Sequence, residues 1–186
     1  MARDMPALSY QSDPIIWGVD PSRSGRAGAD EAAMARRQGV LARTFGGCTW
    51  RGLDGPQLAV AIGKKILEAE TAGDAPDCIF VDVGGVGASC YDHLKLLGYD
   101  DIVHAVDFGG SASDKRFLDK RSEMWWELAE WVHTSTSCLP NDNVLQGELV
   151  APTCEYKVQN KRTGFKLESK ERMKDRGVPS PNRADA

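Results

Sequence analysis

Ile15-Ile16-Trp17-Gly18-Val19-Asp20-Pro21 is the stretch on which the fold turns. A short apolar run ends in a carboxylate, and Pro21 denies a sheet ladder its next N–H. The segment therefore reads as a buried strand that delivers Asp20 to the rim of a sheet. Cys78-Ile79-Phe80-Val81-Asp82-Val83-Gly84-Gly85 repeats the pattern, with Asp82 in the same place. A third acid, Asp185, lies in Ser180-Pro181-Asn182-Arg183-Ala184-Asp185-Ala186.

Working outward, residues 1–14 are polar without a clear period and read as a linker or tail, leaving one domain over 15–186. The segment 22–31 is a Gly- and Ala-rich loop. Residues 32–40 lead into a second strand predicted at about 39–45, and a third short strand is predicted through Thr49-Trp50-Arg51. Gly55-Pro56 opens a helix at about 56–72, with Leu58, Ile62, Ile66 and Leu67 on one stripe and Gly73 at its end. A strand at 78–83, a helix at about 87–97 and a strand at about 102–106 follow. Phe117, Leu118, Met124, Trp125, Leu128 and Trp131 set a helix at about 115–133. Trp125, Trp126 and Trp131 read as core or docking surface, not as a platform for stacking bases. A short helix over 141–149, a hairpin of 154–160 with 164–168, and a helix over 170–176 complete the pattern. Strands come first, then alternating helices and strands, so the expected class is α/β: a central mixed sheet flanked by helices on both faces.

The 186 residues fit one domain with a sizeable core, and 41 % hydrophobic with 27 % charged residues is ordinary for a soluble globular protein. No apolar run approaches the roughly 20 residues that span a bilayer, and residues 1–13 lack a signal peptide's apolar centre. Five scattered cysteines without a CxxC pair point to reduced thiols of a cytoplasm. A net charge of −4 argues mildly against nucleic acid as a partner. From Glu155 to Arg176, however, eight basic residues stand against four acidic ones. A positive flank on an acidic domain suits an enzyme that holds cations and grips a phosphate backbone, and equally suits a solvated hairpin and helix.

Carboxylates are the hard oxygen ligands that magnesium and manganese take. Three within a few ångströms repel one another by on the order of 4 kcal/mol per close pair at an effective dielectric near 20, so such a cluster either binds cations or raises a pKa. Two ions about 3.5–4 Å apart suit in-line displacement at phosphorus, and Asp20, Asp82 and Asp185 are read as meeting around such ions with a phosphodiester as substrate. Each aspartate alone could be a turn former or helix cap. Gly84-Gly85-Val86-Gly87 could be a phosphate-binding turn, although it lacks the P-loop lysine and does not match GxGxxG.

Taken together, several motifs occur in a telling order: Gly18-Val19-Asp20-Pro21 with Asp30-Glu31; Val81-Asp82 with Gly84, Val86 and Gly87; Arg121-Ser122-Glu123-Met124-Trp125; Leu139-Pro140; Glu168-Ser169-Lys170; and Arg176-Gly177, Ser180-Pro181, Ala184-Asp185-Ala186. In this order they resemble the nuclease domain of the large terminase subunit of tailed bacteriophages, over about residues 15–186. The resemblance implies an RNase H-like fold and a metal-dependent endonuclease that cuts concatemeric viral DNA during genome packaging. It places the family's three metal-binding acids on Asp20, Asp82 and Asp185, with two Mg2+ or Mn2+ ions and no covalent intermediate. It implies double-stranded DNA as substrate, and as partners a packaging ATPase domain N-terminal in the same protein, the small terminase subunit and the portal. No membrane is involved, and the site of action is the cytoplasm of the infected bacterial host. Asn182 departs from the family, which usually has an acid there, and the family continues into a helix beyond the third acid. Rival readings are a Holliday-junction resolvase-like nuclease, an actin-like or sugar-kinase-type nucleotide-binding module, and a non-catalytic DNA-binding relic.

Among secondary candidates, Lys170 is expected to touch a phosphate or balance the carboxylates, and Lys161 and Arg162 at the hairpin tip are expected to contact the DNA backbone. Asp30 and Glu31 read as a solvated turn with an outside claim on the site. His104 reads as a core histidine, His93 and His133 as helix surface, and Glu123 as an ion-pair partner of Arg121.

Overall fold

The computed structural model describes residues 12–22, 31–134 and 137–186; the linker read at 1–14 falls mostly outside them, as does Asp30. Among the described residues seven strands and six helices run in the order β1 (Ile15–Asp20), β2 (Ala32–Gln38), β3 (Leu41–Trp50), α1 (Gly55–Thr71), β4 (Cys78–Asp82), α2 (Gly87–Leu94), β5 (Val103–Val106), α3 (Lys120–Thr134), α4 (Asn143–Val150), β6 (Cys154–Gln159), β7 (Arg162–Leu167), α5 (Lys170–Asp175) and α6 (Asn182–Asp185). A π-helical turn, Lys95–Tyr99, continues α2.

Five strands form one sheet in the order β3-β2-β1-β4-β5. β1 to β3 are an antiparallel meander, whereas β4 and β5 add in parallel to β1. β1 sits in the middle because it is apolar along its length. Trp17 and Val19 point to one face with Ile79 and Val81 of β4, and all four are buried. That face is covered by α1 and α2. α1 is started by a capping box, in which Asp54 accepts the Gln57 N–H at 2.9 Å and Gln57 accepts the Asp54 N–H at 3.1 Å. Its stripe Leu58, Ala59, Ile62 and Ile66 is fully buried in the same core, and each large aliphatic there contributes roughly 1.5–3 kcal/mol.

Side chains alternate along a strand, so Ile16, Gly18 and Asp20 point to the opposite face. α3 and α6 lie there: Arg37 of β2 stacks on Trp131 of α3 at 5.5 Å. A Cβ on Gly18 would stand 1.6 Å from the carbonyl oxygen of Ala186, so only glycine lets the segment after α6 lie on β1. The hairpin β6–β7 is tied to the body through 116–118. The N–H of Phe165 donates to the Arg116 carbonyl at 2.7 Å and that of Leu118 to the Phe165 carbonyl at 3.0 Å. Trp126 stacks on Phe165 in this joint, and Phe117 lies tilted against both.

Two boundaries differ from the sequence expectation. The chain turns at Gly39, where φ is +54°, so β2 covers 32–38 and β3 is one strand of 41–50 in place of two short pieces. The predicted helix from 115 begins only at Lys120, because Phe117 is taken by β7. The three tryptophans of α3 are half-buried: Trp126 lies against Phe165 and Trp131 beneath Arg37, while Trp125 turns to Asp185. His104 is exposed on β5 with its ring 5.3 Å from Phe80, so it is not a core residue.

The turn after β4 is as tight as the sheet permits. A Cβ on Gly87 would lie 1.7 Å from the Asp82 carbonyl oxygen, whereas Gly85, at φ +54°, faces open space. Gly87→Ala is expected to cost about 1–3 kcal/mol in urea unfolding by forcing strand and helix apart. Gly85→Ala is expected to cost only about 1 kcal/mol, from its backbone conformation. Equal losses would show that the close approach at Gly87 does not hold.

Candidate active site

β1 and β4 run parallel with Val19 opposite Val81, so the next residues, Asp20 and Asp82, end adjacent strands on the same face. Asp82 is oriented by its own turn: its Oδ1 accepts the Gly84 N–H at 3.1 Å and the Phe108 N–H at 3.4 Å. Asp185 arrives from α6, which lies over β1 and β2. Asp20 and Asp185 are buried, at 4 % and 6 % exposure, and both are bonded by the ammonium of Lys170, at 3.1 Å and 3.0 Å.

Lys170 reaches them because α5 starts at Ser169, whose hydroxyl accepts the Arg172 N–H at 3.3 Å. Glu168 fixes the residue before that cap. Its carboxylate accepts from the Arg176 guanidinium at 2.8 Å and 2.6 Å and from the Thr153 N–H and hydroxyl at 3.1 Å. The Arg176 bonds, with Thr153 behind them, hold the Glu168 carboxyl down to about 2. Asp185 carries as many donors. Arg121 gives it Nε at 3.1 Å and Nη2 at 3.3 Å, and Trp125 gives its indole N–H at 2.8 Å. With Lys170, four N–H donors meet this one carboxylate, which matches its lone-pair capacity. Nη1 of Arg121 also donates to the Glu168 carbonyl at 2.9 Å, tying α3, α5 and α6 into one corner.

Electrostatics at Asp20 are dominated by burial, which pushes its carboxyl from 3.8 up to about 7; Lys170 opposes this, and the charges of Asp185 and Asp82 add to it. On Lys170, burial works to lower the ammonium pKa, but the two carboxylates outweigh it and the net shift is upward. Among the described residues no three His, Cys, Asp or Glu side chains form a ready-made cage for an ion. Lys170 instead joins two of the three acids. The donor set still fits a hard divalent cation, because it is all carboxylate oxygen and because Asp20 is desolvated beside two like charges, a state any bound cation relieves.

Of the remaining candidates, Lys161 sits in the β6–β7 turn at φ +62°, after Asn160 at φ +50°, the pair of left-handed residues of a two-residue type I′ hairpin. Arg162, exposed beside the turn, donates to the Phe117 carbonyl at 3.3 Å. Lys170 lies inside, between carboxylates. Glu31 is turned to Arg51 at 3.3 Å and Arg183 at 3.8 Å, so it braces β3 and α6. Glu123 pairs with Lys120 and accepts the Ser113 and Asp114 N–H groups, leaving Arg121 to Asp185. Arg121 and Trp125 are site residues that the sequence reading does not single out. Their spacing of four on one helix was the available signal.

No family model and no curated protein matches the sequence. Two solved structures share the architecture. One is a mutant nuclease domain of the large terminase subunit gp2 of bacterial virus Sf6, with manganese and beta-thujaplicinol. It matches at 21 % identity over 93 % of this chain and 85 % of that one, with a TM-score of 0.67. The other is the large terminase nuclease of thermophilic phage G20c with bound magnesium, at 13 % identity over 94 % of this chain and 76 % of that one, with a TM-score of 0.61. The fold is that of phage terminase nuclease domains. It is the RNase H-like sheet expected from the motif order.

The burial of Asp20 makes the metal-free protein sensitive to pH. Below about 3.8 its carboxyl is protonated folded and unfolded alike. Between there and about 7 the unfolded chain releases a proton that the folded protein keeps, so stability is lost as pH rises through this window. Asp20→Asn is therefore expected to match the wild type near pH 4. In chelator at pH 8 it should exceed it by about 1–3 kcal/mol, the attraction to Lys170 being already part of the net upward shift. Urea titrations at the two pH values test this, and a pH-independent difference would refute it.

Proposed function

We propose that the protein is a metal-dependent endonuclease that hydrolyses phosphodiesters of double-stranded DNA, and that it works as the nuclease domain of a phage large terminase subunit, cutting concatemeric viral DNA during packaging. The observation that carries this is the meeting of Asp20 and Asp82, at the ends of neighbouring parallel strands, with Asp185 across Lys170. The manganese and magnesium in the two solved nucleases of the same fold support the same choice of ion.

Asp20, Asp82 and Asp185 would hold up to two Mg2+ or Mn2+ ions, with Asp20 shared, because Asp20 interacts with both of the others. Such ions would polarise the phosphodiester and make water acidic enough to attack it. The chain's own part is to fix the carboxylates in low dielectric and to supply positive charge through Lys170 and Arg121. Lys161 at the hairpin turn offers the backbone contact, and a point charge on phosphate reads no sequence. An N-terminal packaging ATPase, the small terminase subunit and the portal are the partners this role calls for, in the cytoplasm of the infected host. Among the described residues no helix is long and apolar enough to cross a membrane.

The test is incubation of supercoiled plasmid with magnesium, manganese or chelator. Nicking is expected with either ion and none with chelator, and Asp20→Asn, Asp82→Asn or Asp185→Asn should reduce it by about 100-fold or more while the fold persists. Full activity in any one of them removes that residue from the machinery. Lys161→Ala should weaken DNA binding about uniformly across sequences and make the log–log salt slope shallower by about 1. An unchanged slope would discard the hairpin contact.

A further inference from the structure

α6 has a proline, Pro181, at its N-cap and no side chain of its own to satisfy its first N–H groups. These are the orphan donors that every helix start must place. Here they go to a residue 35 positions earlier. Oε2 of Glu148, in α4, accepts the Arg183 N–H at 2.6 Å and the Ala184 N–H at 3.0 Å. The opposite end of α4 grips the same turn. Asp142, the N-cap of α4, accepts from the Val144 and Leu145 N–H groups through Oδ1 and takes the Arg183 guanidinium on Oδ2 at 2.6 Å.

Glu148 is a costly residue for this position. It is buried; burial pushes its carboxyl up, the two backbone donors and Arg183 oppose that, and the charge of Asp185 pushes it further up. A carboxylate retained beside another buried carboxylate must do something that an apolar contact cannot. What it does is fix the backbone one and two residues before Asp185.

We propose that Glu148 is a positioning residue for the site: it caps the 182–185 turn in trans from α4 and thereby sets where Asp185 stands relative to Asp20 and Lys170. The inference rests on the reading of Asp185 as a cation ligand. Partners one shell out from a metal's ligands commonly govern affinity by 10- to 100-fold.

The comparison is Glu148→Gln, which keeps an acceptor at the same reach, against Glu148→Met, which fills the volume without one. Manganese binding by calorimetry is expected to stay within about threefold of wild type in Glu148→Gln and to weaken about tenfold or more in Glu148→Met. Plasmid nicking should fall with manganese affinity in Glu148→Met, while the KM for DNA is unchanged. If Glu148→Met does not fold, Glu148→Asp takes its place, since it keeps the charge but withdraws the oxygen by one carbon. Wild-type affinity in the folded Met or Asp variant, or equal losses in Gln and Met, would overturn the proposal. Manganese binding that tracks the acceptor in a protein that cuts no plasmid supports the positioning role and sinks the nuclease reading. Nicking by a wild type whose Glu148→Met binds manganese as well does the reverse. A wild type that binds no manganese defeats both.

Discussion

Two buried carboxylates face one ammonium, and the rest of the molecule is arranged so that they can. Asp20 and Asp185 are 165 residues apart in sequence (185 − 20), yet both lie within hydrogen-bond distance of Lys170. At an effective dielectric near 20, two such acids in close contact repel by on the order of 4 kcal/mol. Placing a cation between them turns that repulsion into two attractions, although the desolvation of all three charges still has to be offset. The sign of the shift on Lys170, upward despite burial, shows which effect wins there. At Asp20 burial wins instead, and the carboxyl holds its proton to about neutral pH. One side of the pair is thus electrostatically satisfied and the other is not, which leaves Asp20 the more receptive to a further cation.

Holding that arrangement requires precision from elements that have little core of their own. α5 has six residues and α6 four, too few to be stable helices by themselves. They are positioned by polar bonds to larger elements. Arg121 and Trp125 reach from α3, Glu168 is clasped by Arg176 and Thr153, and Arg37 packs on Trp131 where α3 meets the sheet. Removal of one member of such a buried network leaves another unsatisfied, so its bonds act as a unit. The fourfold coordination of Asp185 by N–H donors follows from the same logic. A short helix offers no rigidity, so the carboxylate is fixed at its oxygens.

This division explains what could be read from the sequence. β1, α1 and β4 are legible to within a residue because each bears a local signal: a short apolar run, an apolar stripe, a Pro or Gly stop. Asp20 and Asp82 were legible for the same reason, as strand ends. The β2–β3 boundary failed because Ala-Ala-Met-Ala-Arg-Arg carries weak strand character and its placement depends on pairing with β1. Phe117 and Leu118 looked helical by spacing but are held by β7, a contact across 48 residues (165 − 117). Asp185 came from the order of family motifs and from no periodicity of its own. Glu148 left no trace at all, since a glutamate within Val-Leu-Gln-Gly-Glu-Leu-Val is ordinary until α6 is folded against it.

The three acids therefore rest on unequal supports, and the inequality has a consequence for how the site comes together. Asp20 and Asp82 are set when β1 and β4 pair, since a one-residue slip would turn Trp17, Val19, Ile79 and Val81 out of the core. Their relative position is as stable as the sheet itself. Asp185 becomes part of the site only when the segment around α6 has closed over Gly18, where a single methyl group would collide with the Ala186 carbonyl. Local opening in proteins begins where apolar burial is least and exposed polar bonds are most numerous. α6, with four residues, has little apolar contact of its own beyond the buried Pro181. The polar bonds from Glu148, Asp142, Arg121, Trp125 and Lys170 are then what keep the third carboxylate beside the other two, and a cation shared with Asp20 would add to them from the opposite side.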